Sequence, residues 1–168
     1  IAIGVEALGS DTKGNKSVAI GYAALFDQNF TSSTDTYNVA IGYTAGTNIT
    51  TGIQNTLVGG LAGDALTTGQ RNVAIGTLAL STETAGDTNV AIGYGALSTQ
   101  NNTGGGDLYN VAVGDAAGTN LTTGGTNTLI GGLAGNAITT AAHTVAVGFQ
   151  AGTAITTGAN NICIGRIA

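Results

Sequence analysis

Apolar and polar residues alternate along this chain in short bursts, and the bursts recur. A four-residue core of the type Val-Ala-Ile-Gly ends at Gly4, Gly21, Gly42, Gly59, Gly76, Gly93, Gly114, Gly131, Gly148 and Gly165, so the spacing is seventeen except for two steps of twenty-one, from Gly21 to Gly42 and from Gly93 to Gly114. In Asn72-Val73-Ala74-Ile75-Gly76 branched residues flank an alanine, which is the period-two pattern of a strand with one large and one small face. No spacing of three and four persists long enough for an amphipathic helix, and the repeat is too short to hold a helix-turn-helix pair. The pattern predicts an all-β parallel roll, a solenoid of about ten coils of 17–21 residues, with glycine supplying a corner that needs positive φ.

The remainder of each coil is patterned too. An alanine follows every corner glycine by three residues, from Ala7 to Ala168. One position later stands either Leu (Leu8, Leu25, Leu80, Leu97) or Gly (Gly46, Gly63, Gly118, Gly135, Gly152). Three residues beyond that, the Gly coils carry Ile49, Leu66, Leu121, Ile138 and Ile155, whereas the Leu coils carry Asp11, Gln28, Glu83 and Gln100. Close packing of a fixed cross-section explains the compensation as one large plug per coil. Asn38, Asn55, Asn72, Asn89, Asn110, Asn127 and Asn161 precede the strands, and stacking would align them in an amide ladder.

A longer period overlies the coils. Segments 38–76 and 110–148 share 25 of 39 positions without a gap, so the chain reads as one segment, 1–168, built from two 72-residue four-coil units, about 21–92 and 93–164, after a partial leading coil. Both ends stop inside the motif, and the expectation is a fragment of a longer fibre.

Composition narrows the chemistry. With 29 Gly but no Pro and no three-residue Gly period the chain is not collagen, and a hydrophobic content of 42% argues against disorder. Only 5% of residues are aromatic, so the core must be thin and built from small side chains. The net charge is −5, and the four cations, Lys13, Lys16, Arg71 and Arg166, are scattered, which removes the basic face that nucleic acid requires. No apolar run reaches the ~18 residues of a membrane span, so no membrane insertion by this segment is expected.

One histidine and one cysteine cannot form a useful metal site, and no acid pair or nucleophile–base pair suggests catalysis. The reading is non-enzymatic, with no catalytic residue, metal or cofactor. His143 falls at the corner that Arg71 occupies in the equivalent coil of the other unit, and Cys163 takes the place of a strand alanine as a packing residue. Asp64 in a Gly-rich segment is matched by Asn136 in the equivalent coil, so no calcium row exists.

The reiterated Asn-Val-Ala-Ile-Gly-x-x-Ala, as in Asn38 to Ala45 and Asn89 to Ala96, resembles the YadA-like head repeat of trimeric autotransporter adhesins, and is similar to repeats in bacteriophage tail fibres. The resemblance covers all ten coils and departs from the adhesin head in coil length. It implies a left-handed roll, three chains side by side, and a rigid rod at an extracellular or virion surface that binds a cell-surface receptor, glycan or protein. The function expected is a structural and attachment module of a tail fibre or similar surface fibre. A bacterial adhesin head, a self-assembling extracellular filament and an ice-binding solenoid are the alternatives.

Two sets of residues are candidate contacts. If the large strand face is buried, the small row Ala40, Ala74, Ala91, Ala112 and Ala146 would be an exposed stripe and the trimer interface. The two longer coils hold extended loops, Phe26 to Tyr37 and Ser98 to Tyr109, each ending in Asp-x-Tyr. Asp35, Tyr37, Asp107 and Tyr109 are there either to contact a receptor or to pack the loop back on the rod. The pairs Thr50-Thr51, Thr67-Thr68, Thr122-Thr123, Thr139-Thr140 and Thr156-Thr157 are read as outer β-branched residues, since Glu83-Thr84 and Gln100-Asn101 break the row.

Overall fold

The computed structural model describes residues 1–168 and contains strands, turns and no helix. Ten strands form one parallel sheet in chain order: Ala2–Ile3, Val18–Ile20, Val39–Ile41, Thr56–Val58, Val73–Ile75, Val90–Ile92, Val111–Val113, Thr128–Ile130, Val145–Val147 and Ile162–Ile164. Each pairs only with the coils before and after it, in register, so that Ala40 lies against Ala19 and Leu57, and Cys163 against Ala146. This is a parallel β-solenoid. At about 4.8 Å per rung, ten coils give a stack roughly 45 Å long.

The corner glycine is required twice over. All ten have φ between 128° and 143°, a region closed to side chains. At the nine that are followed by another coil, a Cβ would also meet the backbone of the next corner glycine, as at Gly59, where it would lie 2.6 Å from the Gly76 carbonyl. Two further residues of the turn, such as Leu78 and Leu80, and the residue before the ladder position, such as Arg71, sit in the left-handed region without being glycine. That conformation costs about 1 kcal/mol per residue. Inter-coil hydrogen bonds offset it, for instance from the Arg71 N–H to the Ile53 carbonyl at 3.1 Å and from the Leu80 N–H to the Ala96 carbonyl at 3.0 Å.

The strand faces are the reverse of the sequence expectation. Ala40, Ala74, Ala91, Ala112 and Ala146 have no exposed surface within the single chain, and Leu57 and Leu129 join them inside. The branched residues point outward, with Ile41, Ile75 and Ile130 at 37%, 37% and 40% exposure. The alanine row is therefore interior and cannot be a contact surface. The reason lies on the opposite wall, where Leu25, Leu80 and Leu97, or Ile49, Leu66, Leu121 and Ile138, already fill the centre. The strand can add only a methyl group to a cross-section that narrow.

Leu57 and Leu129 show that volume is balanced between coils rather than within each one. A Cβ added at Gly46 or Gly63 would collide with Leu57, and one at Gly118 or Gly135 with Leu129. Each leucine thus spreads into the space that two missing Leu side chains leave, and its coil holds two large groups instead of one. Three of the four polar residues of the Leu coils are interior as well, since Gln28, Glu83 and Gln100 are fully buried, and Asp11 is partly buried.

Asparagine closes the interior along one edge. Each Oδ1 accepts the backbone N–H of the next ladder residue, at 2.9 Å from Asn55 to Asn38, 3.0 Å from Asn72 to Asn55 and 2.9 Å from Asn89 to Asn72. The Nδ2 of Asn38, Asn55 and Asn72 donates across the coil to the carbonyls of Gly52, Gly69 and Gly86 at 2.8–2.9 Å. The run stops at Thr144, whose buried Oγ1 has no partner, although the equivalent coil of the other unit carries Asn72. Thr144→Asn is expected to supply an acceptor for the Asn161 N–H and to raise stability by about 1 kcal/mol, measured by denaturant melts. No gain, or a loss, would show that the end of the ladder has no room for the amide.

Candidate functional site

The two long loops leave the roll at equivalent places and are tied down in the same way. A short strand in the preceding coil pairs with one in the loop: Gly14–Asn15 with Thr34–Asp35, and Gly86–Asp87 with Gly106–Asp107. Phe30 in the first loop and Leu108 in the second tuck against the roll at 8% and 9% exposure. Asp35, Tyr37, Asp107 and Tyr109 all lie at the surface, with Tyr37 and Tyr109 about half exposed.

Their polar groups are engaged within the chain. The Lys16 ammonium donates to Asp35 at 2.7 Å and to the Tyr37 hydroxyl at 2.9 Å, and lies 4.9 Å from the centre of the Tyr37 ring. The hydrogen bond to Asp35 holds the Lys16 pKa well above the usual lysine range. In the second loop Asp87 and Asp107 are register partners, which places two carboxylates on adjacent strands. Arg71 spans both, 3.0 Å from Asp107 and 3.5 Å from Asp87. Thr88 and Tyr109 donate to Asp107 as well. Sequence spacing brings out the Asp-x-Tyr ends but not Lys16, Arg71 or Thr88, which come from earlier coils in the stack.

Hydrogen bonds from Thr88, Tyr109 and Arg71 hold the Asp107 carboxyl below its ordinary range, and the Asp107 hydrogen bond raises the Tyr109 phenol. The two shifts imply opposite pH limits. The depressed Asp107 favours the folded loop above the ordinary carboxylate pKa, and that contribution is lost as pH falls through the folded value. The raised Tyr109 favours it below the ordinary phenol pKa, and its contribution is lost as pH rises through the higher folded value. Asp107→Asn is expected to return the Tyr109 titration toward the ordinary phenol range, followed by phenolate absorbance in the near ultraviolet. An unchanged titration curve would dissociate Tyr109 from Asp107.

Other surface features lie outside the two loops. The outward strand face has two residues per coil from Ile1 and Ile3 to Ile162 and Ile164, and all twenty are Val, Ile or Thr with no charge among them. Beside it, at the position after the corner glycine, Tyr22 and Tyr43 stack with ring centres 5.5 Å apart, and Phe149 lies under Arg166. The threonine hydroxyls of Thr50, Thr67, Thr122 and Thr139 donate to carbonyls one coil on, at 2.9–3.2 Å, which aligns them along the stack. His143 is exposed and bonded to Thr126 at 2.7 Å, and Cys163 is a partly buried free thiol at the edge of the core.

The surface has no cavity, no group of three or more potential metal ligands is assembled on it, and no helix is present that could cross a membrane. The chain matches no protein-family model, no curated protein and no solved structure.

Proposed function

We propose that this chain is a non-enzymatic structural and attachment module of a surface fibre, in which three rods pack side by side and the long loops meet a receptor. The observation that supports it is the outward strand face, an unbroken band of β-branched residues along every coil. A band of this length on a soluble rod marks an interface. Its pitch repeats in every coil, so an identical chain in register matches it along its whole length. The alanine row is enclosed in each chain, and the Val and Ile face takes its place at the centre of the assembly. At the loop ends Tyr37 and Tyr109 are half exposed and available to a glycan or protein at a cell or virion surface.

Light scattering coupled to size exclusion tests the assembly. A mass about three times the 16.3 kDa chain is expected, and Val90→Lys with Ile92→Lys, both on the outward face, is expected to give folded monomers. A wild-type monomer would remove the fibre reading and leave a single solenoid, for which thermal hysteresis in a freezing assay is the next measurement. Attachment is tested separately by binding of the labelled segment to cells before and after glycosidase treatment, and equal binding by a Tyr37→Ala, Tyr109→Ala variant would exclude the loops.

A further inference from the structure

The acids turned into the coil, Glu83 fully buried and Asp11 partly so, are the least expected feature of this interior, and their placement follows the long loops. Four coils carry a polar residue where the others carry an apolar plug, and these four form two consecutive pairs, Asp11 with Gln28 and Glu83 with Gln100. In both pairs the acid comes first and the glutamine stands in the longer coil. The structure joins each pair into the same relay. Gln28 Nε2 donates to Asp11 and Gln100 Nε2 donates to Glu83, the latter at 3.0 Å. The glutamine carbonyl then accepts from the ladder, from Asn38 at 2.8 Å and from Asn110 at 2.8 Å.

We propose that Glu83 and Asp11 are positioning residues for the two loops, each fixing a loop to the rod through a carboxylate–glutamine–asparagine relay whose glutamine and asparagine are fully buried. Glu83 is fully enclosed. Its Oε1 accepts the backbone N–H groups of Thr84 at 3.0 Å, Ala85 at 3.2 Å, Gly86 at 2.8 Å and Asn102 at 3.0 Å. Oε2 accepts from Gln100 and, at 3.2 Å, from Asn102. The carboxylate therefore binds both ends of the loop support at once: the turn that leads into Gly86–Asp87, and Asn102 at the start of the loop that pairs with it. Asp11 shapes the equivalent turn by accepting from the N–H groups of Lys13 and Gly14. Gly14 and Gly86 leave the space, since a Cβ on either would run into the carboxylate.

Only an acceptor on both oxygens satisfies this arrangement. A glutamine at position 83 would turn an amide N–H toward donors and lose the charge that strengthens every one of these bonds. The functional consequence rests on the reading of the loops as contact elements, but the relay itself does not.

Hydrogen exchange by mass spectrometry on the full chain decides it, because exchange needs no receptor. Glu83→Gln is expected to accelerate exchange at least tenfold over residues 101–108, leaving residues 29–36 and the strand Val111–Val113 as in wild type. Asp11→Asn is expected to do the converse, at 29–36 alone, and it carries the test if Glu83→Gln does not fold. Unchanged exchange in the matching loop, or equal acceleration in both loops and in the strands, would overturn the proposal. Accelerated exchange in the matching loop with receptor binding equal to wild type would uphold the relay and count against the contact reading only.

Discussion

Gly59→Ala is expected to destabilise the roll by about 4 kcal/mol, while Gly60→Ala, one residue further on, is expected to change stability by less than about 0.5 kcal/mol. The two adjacent positions differ in backbone conformation and in neighbours. Gly59 has φ of 138°, and a Cβ would sit 2.6 Å from both the carbonyl carbon and oxygen of Gly76. Holding that φ with a side chain costs about 1–3 kcal/mol, and forcing apart two coils whose strands are hydrogen-bonded in register costs about as much again. Gly60 has no positive φ and nothing within 4 Å of its added Cβ. A denaturant melt of the two variants beside wild type measures the difference. In a chain of this length the first should lower Tm by roughly 10 °C. Equal midpoints would mean that the stack can open by one rung at little cost, and that the corner glycines recur for a reason other than contact between coils.

The coil, its period and the corner glycines were legible in the sequence because each rests on a local steric rule repeated ten times. The two strand faces were not. Val and Ile are the larger side chains of the strand, and the usual inference puts larger apolar groups inside. That inference fails here because the interior is filled from the far wall by Leu25 or Ile49 and their equivalents, leaving only methyl-sized space beside Ala40. The signal was present in Leu57 and Leu129, which replace alanine only where Gly46 and Gly63, or Gly118 and Gly135, follow one another on the far wall. The long loops could be placed by their spacing, and their Asp-x-Tyr ends were evident. Lys16 and Arg71 were not assigned to them, since an ion pair with Asp35 or Asp107 crosses one or two coils and depends on the register of stacking. Glu83 and Gln100 were visible as polar residues in place of plugs, but a burial pattern based on polarity turns such residues outward. Their pairing inside becomes readable once the coils are stacked and the acid of one coil lies beside the amide of the next.

Asn72→Ala is expected to cost about 3–5 kcal/mol, far more than the removal of one ordinary hydrogen-bonding side chain. Asn72 is fully buried at the middle of the ladder. Its Oδ1 accepts the backbone N–H of Asn89 at 2.9 Å and the Asn89 side-chain amide at 3.1 Å, and its Nδ2 donates to the Gly86 carbonyl at 2.9 Å. Truncation orphans a backbone donor in one place and a backbone acceptor in another, in an interior that water does not reach, and each costs about 1–3 kcal/mol. Asn72→Asp is expected to be worse than alanine, because a carboxylate keeps the acceptor for Asn89 but sets a second acceptor against the Gly86 carbonyl. Only protonation relieves that contact, so the aspartate variant should regain stability as the pH is lowered through its raised pKa, and the alanine variant should not. Melts of the two variants at neutral and mildly acidic pH measure this difference. An alanine variant within about 1 kcal/mol of wild type would mean that the coils are held by their backbone ladder alone, and that the recurrence of asparagine at this position serves the turn rather than the stack.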